Sequence, residues 1–215
     1  MISNSPLLIK FFTIQCLMVL CVSQGFDFFY FIQQWPGSYC DTKQSCCYPK
    51  TEKPATNFTI HVLRPNDLLN SEPSYCKSKN PYKESKISDL IKRLKISWPT
   101  LACPGGSGSK LWSNEWKKYG TCSESVLDQH AYFKAALDLK DKKDLLKVLK
   151  KSGIKPNGKV YGLSSILESI RGVVGYEPGV KCNIYLCTDP SGKKFIDCPG
   201  LPTGGCPANI QFPSF

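Results

Sequence analysis

The sequence predicts an α+β domain, and three observations support that prediction. Residues that favour strands occur near the start of the chain and again in its last third, while helical periodicity fills the middle. The length of 215 residues suits one domain with a core of ordinary size. Twelve cysteines indicate a disulfide-rich protein. Because no repeat, low-complexity tract or linker divides the chain, we expect one domain over residues 26–215.

The first 25 residues predict a secretory signal peptide. Lys10 precedes an apolar run over residues 11–22, and small residues follow at Ser23 to Gly25. The alternative is a membrane anchor, but the run is shorter than the roughly 20 apolar residues that a spanning helix needs. We therefore expect cleavage between Ser23 and Phe26. The mature protein is expected to be secreted, either extracellular or vacuolar, with no membrane-spanning segment.

Strands are predicted at both ends of the mature chain. Residues 28–33 are aromatic and favour a strand, which Trp35-Pro36-Gly37 ends. Residues 58–63 form a second strand, which the turn residues 64–67 stop. The tail over 183–215 returns to short strands separated by Pro and Gly turns.

Helices are predicted between these strands, from the spacing of apolar residues and from their end signals. They cover residues 87–96, 111–120, 125–139, 142–151 and about 164–174. Trp98-Pro99 ends the first of them and Gly120 the second.

The cysteines predict a disulfide framework once the signal peptide, with Cys16 and Cys21, is removed. Ten remain: Cys40, Cys46, Cys47, Cys76, Cys103, Cys122, Cys182, Cys187, Cys198 and Cys206. Metal binding is the competing interpretation, but the chain has neither paired C-x-x-C motifs nor clustered histidines. We expect no metal and no cofactor. The count alone does not decide which cysteines pair.

The mature chain is basic. Of 28 Lys and Arg, one (Lys10) lies in the signal peptide, so 27 cations against 17 acids leave a net charge of +10. Such a charge favours polyanions such as RNA, and also cell-wall acids and anionic membranes. Many lysines fall within residues 134–151, which form either a solvated helix face or a binding surface.

Four segments carry a resemblance to a known family. They are FDFFYFIQQWPGSYC at 26–40, FTIH at 58–61, WSNEWKKYGTC at 112–122 and FPSF at 212–215. Together they resemble the ribonuclease T2 family, and in particular the S-like ribonucleases of plants, over nearly all of the mature chain. The resemblance implies an antiparallel sheet packed with several helices. It also implies cleavage of single-stranded RNA without a metal, through a 2′,3′-cyclic phosphate that is then hydrolysed.

The first active segment of the family reads F-T-I-H-G-L-W-P and corresponds to residues 58–65. The resemblance makes His61 a catalytic histidine, whereas a strand-end histidine held by backbone bonds is the plainer interpretation. Arg64 replaces a tryptophan that lines the substrate site. By the same resemblance, Gln34 and Leu111 are substrate-binding residues, together with Arg64.

The second active segment of the family reads W-S-H-E-W-x-K-H-G-T-C. Here Asn114 and Tyr119 replace its two histidines, while Glu115 and Lys118 remain. On a helix, residues 114 and 118 share a face, as do 115 and 119, and the two pairs adjoin. All four side chains can therefore reach one phosphate.

The two replacements predict a large loss of activity. Tyrosine has an ordinary pKa near 10, so it exchanges no proton near neutral pH, and positioned acid–base catalysis is worth about 10²–10⁴-fold. Asn114 can donate a hydrogen bond to phosphate but carries no charge, which costs a further 1–3 kcal/mol or so. We expect a protein with lost or severely reduced nuclease activity, a storage or defence role and residual binding of single-stranded RNA.

Two alternatives stay open. One is an active endoribonuclease in which His61 works with Glu115, Lys118 or Tyr119. For Glu115 this needs burial to raise the pKa of the carboxyl, against the effect of Lys118. The other is a non-catalytic module that binds a polyanion or a protein partner. His130 is expected to have no catalytic role, and the protein is expected to be a monomer.

The resemblance also implies five disulfides: Cys40–Cys46, Cys47–Cys103, Cys76–Cys122, Cys182–Cys206 and Cys187–Cys198. The segment from Cys182 to Cys187 is much shorter than its family counterpart. Either one edge of the sheet is trimmed, or the sequence lacks a piece there. Asn57-Phe58-Thr59 is an acceptor for N-glycosylation, which is either used or blocked by the strand beside it.

Overall fold

A computed structural model describes residues 25–41, 46–47, 54–69, 71–76, 78–103, 105–181, 183–201 and 205–215. The predicted signal peptide lies outside these ranges except for Gly25, and it stays a prediction. Within the described residues, no helix is long and apolar enough to cross a membrane.

An antiparallel sheet organises the chain around its first strand. The described strands are β1 (Phe28–Gln34), β2 (Thr59–Asn66), β3 (Val160–Gly162), β4 (Gly179–Lys181), β5 (Asn183–Thr188), β6 (Phe195–Ile196) and β7 (Asn209–Gln211). Five of them form a sheet in the order β2-β1-β5-β4, with β6 added to β5. All pairs are antiparallel, and β3 and β7 form a second, two-stranded sheet.

The helices lie between the strands along the chain, as the sequence predicts. They are α1 (Pro36–Cys40), α2 (Ile91–Ser97), α3 (Ser109–Lys118), α4 (Gln129–Lys142), α5 (Leu145–Lys151) and α6 (Leu163–Val174). Two stretches of 3-10 helix, Glu84–Leu90 and Gly120–Ser123, precede α2 and follow α3. The predicted α+β class and the antiparallel sheet are confirmed.

The two faces of β1 pack into different apolar clusters. Phe29 and Phe31 face the main core, which the helices cover. Phe28, Tyr30 and Ile32 alternate with them and form a second, smaller cluster. We call it the small cluster; it also contains Val62 and Cys187. The sheet is therefore covered on both faces along β1, which explains why every residue of this strand is buried.

Some element boundaries differ from the prediction for local reasons. The strand predicted to stop at Arg64 continues to Asn66 as β2, because an edge strand tolerates a proline such as Pro65. The helix predicted from Ser125 begins at Gln129, where the carboxylate of Asp128 accepts the amide hydrogen of Ala131 at 2.8 Å. The helix predicted over 87–96 divides into a 3-10 part and α2.

Four of the five predicted disulfides are present. They are Cys40–Cys46, Cys47–Cys103, Cys76–Cys122 and Cys187–Cys198. Cys182 lies outside the described residues, so the pairing of Cys182 with Cys206 stays a prediction. One residue separates β4 from β5, whose ends pair through Lys181 and Asn183.

Candidate active site

His61 lies at a bulge in β2. Ile32 of β1 pairs with Val62 and the next residue, Gln33, pairs with Ile60, so His61 is an extra residue with no partner across the strand pair. A bulge bends a strand and re-aims a side chain. As a result His61 is exposed, while its neighbours Ile60 and Val62 are buried on opposite faces of the sheet.

The surroundings of His61 favour its neutral form. Although part of its surface is exposed, the imidazole is largely surrounded by protein atoms, and this loss of hydration lowers its pKa. The positive charge of Arg64 lowers the pKa further. A neutral imidazole can accept a proton, so His61 is suited to act as a base near neutral pH.

Arg64 is engaged by groups of its own chain. Its Nη1 lies 3.0 Å from Oε1 of Glu72, and its guanidinium lies over the ring of Tyr30, 5.3 Å from the centroid. Tyr30 is fixed in turn by a hydrogen bond from its hydroxyl to the carbonyl of Gly200 at 2.6 Å. The Arg64 side chain is only 14% exposed. A phosphate that binds here therefore competes with Glu72.

Two tryptophans anchor helix α3 to the protein. Trp112 and Trp116 are each 1% exposed. Their indole N–H groups donate to the carbonyls of Trp98, at 3.0 Å, and Asn80, at 2.9 Å. Asn114 lies between them in sequence and is exposed. The helix is thus held by its buried face, while its free face carries the residue that replaces a family histidine.

The chain leaves α3 through a crowded turn. A Cβ on Gly120 would lie 2.2 Å from Cε3 of Trp116, so the turn requires glycine. The disulfide Cys76–Cys122 fixes the following 3-10 segment, which packs against β2. Tyr119, just before that segment, is half-buried against the small cluster that contains Val62. Packing thus brings the end of α3 to the strand that carries His61.

Lys118 and Tyr119 interact with each other. The ammonium of Lys118 lies 4.9 Å from the centre of the Tyr119 ring. A hydrogen bond to Tyr119 is the main cause that raises the pKa of Lys118, followed by the charge interaction with the same residue. Lys118 therefore keeps its charge, and the Tyr119 side chain is held beside a cation.

Glu115 carries a largely buried carboxyl. Burial raises its pKa to about 7, and the opposing charge of Lys118 only partly offsets this effect. Its Oε2 is buried and has no hydrogen-bond partner among the described residues. The condition that the sequence left open for Glu115 is thus met, since burial outweighs the neighbouring cation.

Tyr132 links the two segments and was not predicted from the sequence. It is completely buried on α4, and its hydroxyl donates to the carbonyl of Leu63 in β2 at 2.5 Å. Its ring contacts that of Trp116 on α3, with 5.9 Å between the ring centres. Burial raises the pKa of Tyr132, and the charge of Glu115 raises it further. The sequence signal was an aromatic residue on an amphipathic helix, which by itself indicates no more than core packing.

The remaining predicted residues have other surroundings. Gln34 is buried at the end of β1, and Leu111 is half-buried against the main core. The side-chain amide of Asn57, the predicted acceptor for N-glycosylation, donates to Asp144 at 3.3 Å. His130 pairs with Asp89 at 3.0 Å.

Comparison with known proteins identifies the family. The model of the Ribonuclease T2 family matches residues 26–198. The chain belongs to this family. It is 52% identical to the extracellular ribonuclease LE of Solanum lycopersicum, with both chains covered in full. It is 54% identical to ribonuclease 1 of Arabidopsis thaliana over 90% of this chain and 89% of the other.

Solved structures of ribonuclease T2 type share the fold. RNase NT in complex with 5′-AMP superimposes with a TM-score of 0.84 at 48% identity, covering 88% of this chain and 99% of that one. The RNase-related protein from Calystegia sepium is more distant, with a TM-score of 0.72 at 27% identity. The resemblance to the plant members of the family is therefore confirmed, together with the predicted fold.

Proposed function

We propose that this chain is a secreted ribonuclease T2 protein that binds single-stranded RNA but cleaves it at a severely reduced rate. One observation carries the proposal. Where the family motif has an acid–base histidine, Tyr119 lies beside the Lys118 ammonium, 4.9 Å from ring centre to nitrogen, and packs against the small cluster.

The chemical reason is a missing proton carrier. Metal-free cleavage of RNA needs one group that takes the proton of the 2′-hydroxyl and another that gives a proton to the leaving oxygen. His61 supplies one such group. Tyr119 replaces the other with a phenol, whose ordinary pKa near 10 is far from neutral pH. Asn114 removes a second titrating group from the exposed face of α3.

Binding has separate support. Lys118 retains its charge beside the site, and the mature chain carries 27 cations against 17 acids. Secretion is supported by the apolar leader, although relatives at the same identity of 52% are named both extracellular ribonuclease LE and intracellular ribonuclease LX. A storage or defence role accompanies this proposal, because a secreted protein without turnover acts through its amount or through binding.

The test is release of 2′,3′-cyclic phosphate from single-stranded RNA by the purified mature protein. Wild type is compared with the double variant Asn114→His, Tyr119→His and with Lys117→His, which adds a histidine at an exposed site of the same helix. We expect little product from wild type and Lys117→His, and at least about 10²-fold more from the double variant. Wild-type cleavage at the rate of the double variant would disprove the proposal.

Glu115 favours a second candidate function, slow cleavage by a rearranged pair. Its pKa of about 7 leaves the carboxyl partly protonated at neutral pH, while the pKa of His61 is lowered. His61 then acts as the base and Glu115 as the acid. A pH–rate profile for wild type separates the two proposals. The pair requires a rate that falls above pH 7 and is lost in Glu115→Gln, whereas a residual rate that this substitution does not change excludes it.

A further inference from the structure

The lysine-rich stretch of residues 134–151 divides into two halves with different surroundings. In its first half the cations are engaged: Lys134 pairs with Asp138 at 2.5 Å, Lys140 is 7% exposed, and Lys142 donates to the carbonyl of Lys193. In its second half, on α5, Lys147, Lys150 and Lys151 are exposed. They have no ion pair and no side-chain hydrogen bond within the described part of the chain.

The unpaired cations continue beyond α5. Lys155 and Lys159 are also exposed, and their ammonium groups also lack an ion-pair partner among the described residues. Between Asp144 and Glu168 the chain contains no other acidic residue. Asp144 itself is occupied, since its carboxylate accepts the backbone N–H of Lys147 at 3.1 Å and the amide of Asn57. We call the five residues Lys147, Lys150, Lys151, Lys155 and Lys159 the lysine surface.

The backbone beneath the lysine surface is well anchored. The buried leucines of α5 belong to the main core. The following loop is tied to the C-terminal strand region, where Gly158 donates to the carbonyl of Phe212 and Phe212 donates to that of Lys159, both at 2.9 Å. The five charges are therefore held on one rigid framework, although they repel each other.

The lysine surface lies away from the candidate active site. The leucines of α5 pack on the face of the sheet that forms the main core, whereas Tyr119 packs on the small cluster on the other face. A long polyanion can contact both faces.

We propose that the lysine surface is a second binding surface for the phosphate backbone of single-stranded RNA. This inference rests on the proposed function in assigning RNA as the partner. Exposed lysines that form no ion pair within the described part of the chain interact with phosphates as point charges, independently of base sequence. The surface adds affinity for long strands and releases counterions on binding, which makes that affinity strongly dependent on salt.

The test uses the mature protein and 2′-O-methyl polyuridylate, which lacks the attacking 2′-hydroxyl and stays intact even if the protein is an active nuclease. Failure of this proposal is thus distinguishable from failure of the proposed function. The variant is Lys147→Gln, Lys150→Gln, Lys151→Gln. Its matched control is Lys86→Gln, Lys92→Gln, Lys95→Gln, which removes three exposed lysines from a segment that also contains Glu84 and Asp89.

We expect the α5 variant to lose about tenfold in affinity at low salt. The slope of log K against log salt should become shallower by about 2, because each phosphate contact with a single strand contributes about 0.7 to that slope and three are removed. The control should lose less than about twofold, and the affinity for 5′-UMP should change in neither variant. Substituting the same three lysines by arginine should retain the affinity. Equal losses in both triple variants would overturn the proposal, because net charge alone would then explain binding. Equally tight binding of polygalacturonate would assign the surface to acidic polysaccharides and also overturn it.

Discussion

The two active segments differ in what has been kept. On β2, the titrating residue His61 remains, and the tryptophan of the family motif has become Arg64, which pairs with Glu72. On α3, both histidines of the motif are absent, but the residues that hold the helix remain: Trp112, Trp116, Gly120 and Cys122. The difference teaches that the chemistry and the scaffold of this site are separable, because the replaced positions contribute little to the burial that fixes α3.

The largest expected effect concerns His61 on β2 and whether this residue still supports catalysis. In the Asn114→His, Tyr119→His background, a further His61→Ala substitution should lower the rate of cyclic-phosphate release by about 10²–10⁴-fold, since it removes one of the two proton carriers. His130→Ala in the same background is the control, because His130 pairs with Asp89 elsewhere. A triple variant that cuts as fast as the double one would show that His61 has no catalytic role.

The next effect concerns the charge buried on α3. The folded state raises the pKa of Glu115 from 4.5 to about 7, so it stabilises the protonated carboxyl. This contribution to stability is fully present below pH 4.5, the pKa of Glu115 in the unfolded chain, and is lost as pH rises through about 7. The difference in the free energy of unfolding is roughly 3 kcal/mol at most. Urea unfolding of wild type and Glu115→Gln at about pH 4 and pH 8 measures it.

The stability of Glu115→Gln relative to wild type should therefore increase as pH rises, by up to roughly 3 kcal/mol. Glu168→Gln, at an exposed position of α6, is the control, and its stability should depend on pH in the same way as that of wild type. Parallel pH dependences of wild type and Glu115→Gln would contradict the burial of this carboxyl.

A smaller effect tests the scaffold alone. Gly120→Ala should destabilise the protein by about 1–3 kcal/mol, because the new methyl group overlaps the Trp116 ring. Gly172→Ala, on α6 with open space around its Cβ, should instead stabilise the protein by about 0.5–1 kcal/mol. Thermal unfolding of both variants measures the contrast. If Gly120→Ala proved as stable as wild type, the turn after α3 would not be the constraint that the packing indicates.

The smallest effect concerns the first segment. Arg64→Gln removes a positive charge that lowers the pKa of His61, so this pKa should rise towards its ordinary value. Loss of the pair with Glu72, whose own side chain is 51% exposed, should cost about 1 kcal/mol of stability. NMR titration of the imidazole protons measures the pKa, and His130 is an internal reference in every sample. If the substitution shifted the pKa of His130 and left that of His61 unchanged, Arg64 would not be the charge that lowers the pKa of His61.

Particular elements show how far sequence reasoning reached. The strand at 28–33 and the helix at 111–120 were predicted within two residues of their observed ends. Their periodicity is local, so it is visible in a short window. The observed end of β2 lies beyond the predicted one, because Pro65 indicates a strand end in the sequence. The place of this proline at the sheet edge depends on which strand lies beside it. The short strands β3 and β4 were missed, since three residues carry no periodic pattern.

Sequence by itself determined the family and the identity of the residues at positions 61, 114, 115, 118 and 119, which depend on residue type and spacing along the chain. The disulfide pairs that the structure describes were implied by the resemblance to the family and not by the cysteine spacing alone. Tertiary structure alone decided that burial outweighs Lys118 at Glu115, that Glu72 holds Arg64, and that Tyr132 joins α4 to β2. Each of these depends on how much water and which charges surround a group, and those are supplied by segments distant in sequence.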